Sequence, residues 1–144
     1  MIEFINSESM VQFLGGLQSF GAYFGTSLIF LIIFKSIYSL VTPYDEWHLI
    51  KEERNVAAAI AFGGATLGYG IAISSAASNS VGLLDFALWG CVALVAQIVA
   101  FVLVRFLMLP KISERIEKHE VPAATVLASV SIVIGLLNAA CMTY

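Results

Sequence analysis

Four runs of this chain, at about 20–41, 56–77, 83–109 and 122–142, are apolar almost throughout. The hydrocarbon core of a bilayer is about 30 Å thick, and a helix crosses it with ~20 mainly apolar residues. Inside lipid, every backbone amide must pair within its own helix or around a closed barrel. None of the four runs shows the residue-by-residue alternation of a barrel strand, so each is expected to be a membrane-spanning α-helix. Composition agrees, with 60% hydrophobic and 12% charged residues. A soluble domain is nearer half apolar and a quarter charged, because its surface must be covered with polar groups. The expected fold is all-α, a single membrane domain over 1–144.

The connections set an expected orientation. All seven basic residues (Lys35, Lys51, Arg54, Arg105, Lys111, Arg115 and Lys118) fall in or close to the first and third connections. Positive charge in short loops marks the cytoplasmic side, so both termini are expected outside the cytoplasm. The first residues carry Glu3 and Glu8 but no basic residue, so no secretory signal is expected there. Each basic loop has helical spacing. Thr42 and Pro43 offer a helix start, with Tyr44, Trp47 and Ile50 on one face and Glu46, Glu52 and Glu53 opposite. The segment 43–53 therefore reads as a short amphipathic helix, with Tyr44 and Trp47 as interfacial anchors. The segment 110–120, with Ile112 and Ile116 on one side, reads the same way. Ser9 and Gln12 suggest a similar capped start on the outer side, Met10, Phe13, Leu14 and Leu17 facing lipid.

Laid on itself at an offset of 67 residues, the sequence pairs Pro43 with Pro110, Glu53 with Glu120 and Gly68 with Gly135. This predicts two repeated two-helix units, about 16–77 and 83–144, entering the membrane in the same sense. The offset also pairs two small faces: Ala57, Ala61, Gly64 and Gly68 in the second span, and Ala124, Ala128, Ser131 and Gly135 in the fourth. Steps of four, three and four keep these residues on one side of a helix. Small faces let helix backbones approach closely in lipid, so the second and fourth spans are expected to pack there.

Polar groups inside a span are costly and are candidates for function. Gln97, mid-way along the third span, can either line a wet path or bond across a helix pair. Asn138 stands near the outer end of the fourth span, and Asp85 and Asn55 stand where helices begin. Lys35 and Arg105 lie about 8–12 Å from the basic loops at helical rise, within snorkelling reach of the interface. His48 and His119 belong to no ligand cluster, and no Ser/His/Asp set, HExxH or phosphate-binding glycine loop occurs. No enzymatic activity and no cofactor or metal are expected. The net charge of −3 and the lack of a basic stripe speak against nucleic acid. Cys91 and Cys141 read as buried, unreactive thiols.

The blocks TPYDE at 42–46, NVAAAIAFGG at 55–64, LLDFALWGCVALVAQ at 83–97, ISERIEKHE at 112–120 and GLLNAA at 135–140 resemble the YjfL-like bacterial inner-membrane proteins. These form domain-of-unknown-function family 350. The resemblance runs from about residue 20 to the C-terminus and implies a four-span inner-membrane protein built from a repeated two-helix unit. It implies no activity and carries over no site residue. Two readings stay open. One is a small homo-oligomeric structural or interaction protein of the envelope, with protein partners at the cytoplasmic loops. The other is an oligomeric channel or small transporter lined by Gln97, Asn138, Asp85, Lys35 and Arg105.

Overall fold

A computed structural model describes residues 7–142 of the chain; Glu3 and the two ends of the chain, whose side of the membrane is an expectation, lie outside them. Among the described residues six helices follow one another: α1 (Glu8–Val41), α2 (Glu46–Lys51), α3 (Val56–Asn79), α4 (Leu83–Leu103), α5 (Ile112–Glu117) and α6 (Val121–Cys141). A π-helical turn, Val104–Met108, extends α4. Four of these helices are long and apolar enough to cross a membrane.

The centre of the bundle is the seam between α3 and α6. All eight small residues named above are buried on it. A Cβ built on Gly64 would run into the Cα and Cβ of Ala128; one on Gly68 would strike the carbonyl oxygen of Ser131. One on Gly135 would strike the carbonyl of Gly68, so backbone meets backbone along two turns. Glycine weakens a helix by about 0.5–1 kcal/mol relative to alanine. Here that cost is offset by dispersion contact that no side chain with a Cβ would allow. Hydrogen bonds tie both ends of the seam: Asn55 Nδ2 donates to the Ile116 carbonyl at 2.7 Å, and Ser75 Oγ to the Ala139 carbonyl at 3.1 Å.

Around this seam the bulkier helices pack through aromatic rings. Phe34 of α1 stacks on Tyr69 of α3, centroids 4.7 Å apart, and Phe30 meets Phe86 of α4 edge-on at 5.9 Å. Gly90 leaves room for the Phe30 ring, and the Tyr69 hydroxyl donates to the Gly90 carbonyl at 3.3 Å. The short helices close one end. Tyr44, Leu49, Ile112 and Ile116 are buried against Ala57, Ala61, Phe101 and Leu127.

The structure departs from the sequence reading at four places. First, α1 is one helix of 34 residues, roughly 50 Å long, with no break near Phe20. Ser9 and Gln12 lie inside it, and Ser7 occupies the cap position without a side-chain cap bond. A helix-compatible sequence with no proline has no physical reason to stop there. Second, α2 starts at Glu46 and is capped by Asp45, whose carboxylate accepts from the His48 N–H at 3.2 Å. Thr42 instead ends α1. Third, the inward face of α2 is Glu46 and Leu49, with Tyr44 beside them, while Trp47 is exposed. Fourth, Cys91 and Cys141 are exposed free thiols on outward faces.

Candidate functional site

The end of α1 and the start of α2 build a buried polar cluster. The chain leaves α1 at Thr42, turns through Pro43 and Tyr44, and brings Glu46 back against the last turns of α1. Glu46 is only 1% exposed. Its Oε1 accepts from Ser39 Oγ at 2.6 Å and its Oε2 from Thr42 Oγ1 at 3.0 Å. Thr42 Oγ1 also lies 2.8 Å from the Tyr38 carbonyl. A hydroxyl has a single proton, so the carboxylate and the carbonyl compete for it. Among the described residues no cation reaches ion-pair distance of Glu46. Lys35, the nearby cation on α1, places its Nζ 4.7 Å from the centre of the exposed Trp47 ring.

Two phenols complete the cluster. The hydroxyls of Tyr38 and Tyr44 are buried and make no hydrogen bond of good geometry among the described residues. Burial pushes the Tyr44 phenol up to about 12; the nearby Tyr38 hydroxyl opposes this, and the charges of Glu46 and Glu117 add to it. Among the described residues the buried carboxylate is held by hydroxyls alone, beside two buried phenols that face each other, a costly arrangement for a membrane protein to retain.

Gln97 lies deeper. Its Nε2 donates to the Ser131 carbonyl of α6 at 3.1 Å, and it fills the space beside Gly68, where an added Cβ would come within 2.8 Å of that nitrogen. Gln97 therefore joins α4 to the α3–α6 seam. Its Oε1 is buried without a partner among the described residues. Between α1 and α4 lies a cavity of about 10 Å³, lined by Tyr38 and Gln97 together with Phe34, Leu94 and Phe101. That is room for about one water.

The remaining candidates do not converge. Asn138 lines a shallow apolar groove with Ala96 and Val99 of α4, whereas the Gln97 cavity uses Leu94, Ile98 and Phe101. The two amides thus open on different sides of α4, not on one continuous face. Asp85 accepts from the Val81 N–H at 3.0 Å in the first turn of α4. Arg105 is exposed on the π-helical turn, its guanidinium 5.4 Å from the centre of the Phe106 ring. Tyr44, expected as an interfacial anchor, is buried instead because α2 docks onto the bundle. Among the described residues no three His, Cys, Asp or Glu side chains converge as metal ligands would.

Sequence reasoning missed Glu46 and the long-range role of Asn55. Asn55 Oδ1 accepts from the Ala58 N–H at 3.0 Å while its Nδ2 reaches Ile116, 61 positions away. The usable signal was local: an acid four residues beyond a Thr-Pro helix stop, with a serine one helical turn before that threonine.

Four bilayer-length helices, two short helices capping one end and a few buried polar contacts define a small polytopic α-helical membrane protein. Residues 12–142 match the family described as Domain of Unknown Function (DUF350), and the chain belongs to that family. It is 44% identical over 134 residues to the UPF0719 inner membrane protein YjfL of Escherichia coli (strain K12), covering 93% of this chain and all of the relative. It is 30% identical over 91 residues to the UPF0719 transmembrane protein YshE of Bacillus subtilis (strain 168), covering 63% of this chain and 67% of the relative. No solved structure matches it.

Proposed function

We propose that this protein is a small homo-oligomeric structural or interaction protein of the bacterial inner membrane, with both termini outside and the basic loops in the cytoplasm. The observation that carries the reading is α1. Every residue from 11 to 22 is exposed, and the Phe20 and Phe24 rings stack on each other at 5.2 Å on the outside of the molecule. Gly15, Gly16, Gly21 and Gly25 have nothing within 4 Å of a built Cβ. In lipid such an outlying helix with small residues on it is suited to meeting a second copy of itself. The chain carries no catalytic role in this reading. The two-helix repeat is part of the proposal: α1 ends at Val41 and the π turn at Met108, 67 positions apart, and the six-residue helices α2 and α5 follow within one residue of the same offset.

The test is the stoichiometry of the full chain in lipid nanodiscs, by single-molecule photobleaching, beside Gly21→Leu/Gly25→Leu. A discrete oligomer that the double substitution breaks supports the reading; a monomer at all protein densities overturns it. Charge reversal across 43–53 is expected to abolish capture of cytoplasmic partners.

The alternative of an ion or small-solute conduit draws on the cavity between α1 and α4, where unpartnered Gln97 Oε1 and Tyr38 hydroxyl share one lining near Glu46. It predicts flux in proteoliposomes that Gln97→Leu changes. The scaffold reading predicts that Gln97→Leu alters only stability or assembly.

A further inference from the structure

Beyond the cluster around Glu46, the same end of the bundle carries a groove of about 580 Å³ between the π-helical turn and α5. Its making is local. The π turn closes with the Leu109 N–H donating to the Val104 carbonyl at 2.8 Å, one residue wider than an α-helical turn. Lys111 then takes a left-handed backbone, φ 60°, and α5 begins at once. Arg105 of the π turn and Lys111 at the left-handed residue both line the groove, as do Glu114 and Glu117 of α5. Among the described residues none of the four pairs with an opposite charge; the ion pair in this region joins Arg115 to Glu120. Ser113 Oγ, on the same lining residue set, is buried with no hydrogen-bond partner among the described residues.

The location narrows what can sit there. The membrane-length apolar helix runs to Met108, which puts Arg105 and Lys111 at headgroup depth. Phe106, Leu107 and Met108 are exposed beside the groove and offer apolar surface to acyl chains. Two cations and two carboxylates give a set of zero net charge. That set suits a ligand holding a phosphate and an ammonium a few bonds apart, and it disfavours a bare anion, which the carboxylates repel.

We propose that this groove binds the headgroup of a zwitterionic aminophospholipid. Arg105 and Lys111 receive the phosphodiester, and Glu114 and Glu117 the ammonium. The chemistry recognised is phosphoethanolamine, and the exposed apolar turn beside it selects the lipid over the free headgroup.

Native mass spectrometry of the purified full chain, titrated with phosphatidylethanolamine or phosphatidylglycerol, tests this. The wild type is expected to saturate at a discrete stoichiometry with phosphatidylethanolamine and to prefer it by about tenfold, the worth of one charge-assisted hydrogen bond. Arg105→Gln/Lys111→Gln is expected to weaken both lipids at least about tenfold. Glu114→Gln/Glu117→Gln is expected to erase the preference while phosphatidylglycerol binding holds or rises. The preference is a ratio measured on folded, lipid-bound protein, so partial misfolding of a variant does not imitate its loss. Equal binding of the two lipids by the wild type overturns the proposal, as does a preference that survives the glutamate substitutions. Soluble phosphoethanolamine competing at the same concentration as the lipid would assign the groove to a free metabolite and overturn the lipid assignment.

Discussion

Replacing Gly68 by alanine puts a methyl group where the backbone of α6 already is. The built Cβ collides with the Ser131 carbonyl oxygen and lies 2.8 Å from Gln97 Nε2, so neither neighbour is open space. The Ser131 carbonyl is helix backbone and cannot swing aside, so α3 and α6 must separate. Overpacking of this kind costs about 1–3 kcal/mol. Displacing Ser131 also strains the 3.1 Å bond from Gln97, whose loss would cost about 1 kcal/mol more. Against this, alanine in place of glycine returns roughly 0.5–1 kcal/mol of helix propensity. The net expectation is a loss of about 1–3 kcal/mol. Gly70 supplies the matched control, two positions along the same helix with nothing within 4 Å of a built Cβ. Gly70→Ala should be neutral or stabilising by up to about 1 kcal/mol. Equilibrium unfolding in bicelles, by steric trapping or denaturing-detergent titration, reads both. Gly68→Ala as stable as Gly70→Ala would refute the close crossing of α3 and α6.

Two further substitutions probe the loop end. Asn55→Ala removes the α3 cap and the bond to Ile116 together, each worth about 1 kcal/mol, so the same titration should show a loss near 2 kcal/mol; Asn55→Asp should keep the cap and recover about half. The Tyr44 phenol, held at about 12 against an ordinary value near 10, keeps its proton in the folded protein when the unfolded chain has lost it. The raised value means its contribution is fully present below about pH 10 and is lost as pH rises toward 12. Tyr44→Phe should flatten that part of the stability profile, and an unchanged slope between wild type and variant would place Tyr44 in solvent.

The membrane spans were legible because hydrophobic transfer is a local sum: ~20 apolar residues in a row decide the matter without reference to any other segment. The start of α3 at the Asn55 cap, the start of α6 beside Pro122 and the buried sides of Ile112 and Ile116 follow from a cap, a proline and helical spacing, which are also local. The start of α1 was misplaced because composition changes near Phe20 while helix propensity does not. Glu46 illustrates the other limit. Amphipathic spacing puts it on a charged face beside Glu52 and Glu53, yet the turn at Thr42–Asp45 rotates α2 so that Glu46 faces Ser39 and Thr42. The side on which a six-residue helix lands depends on where the preceding helix ends, and no periodicity within the helix records that.

The sequence by itself therefore determined how many helices enter the membrane and which of their faces are small, since both depend on residue type and spacing along one helix. The tertiary structure alone decided which polar groups meet: Gln97 with Ser131, Asn55 with Ile116, Glu46 with Ser39 and Thr42. Hydrogen bonds fade within a fraction of an ångström of misplacement, and that precision comes from the packing of whole helices against one another.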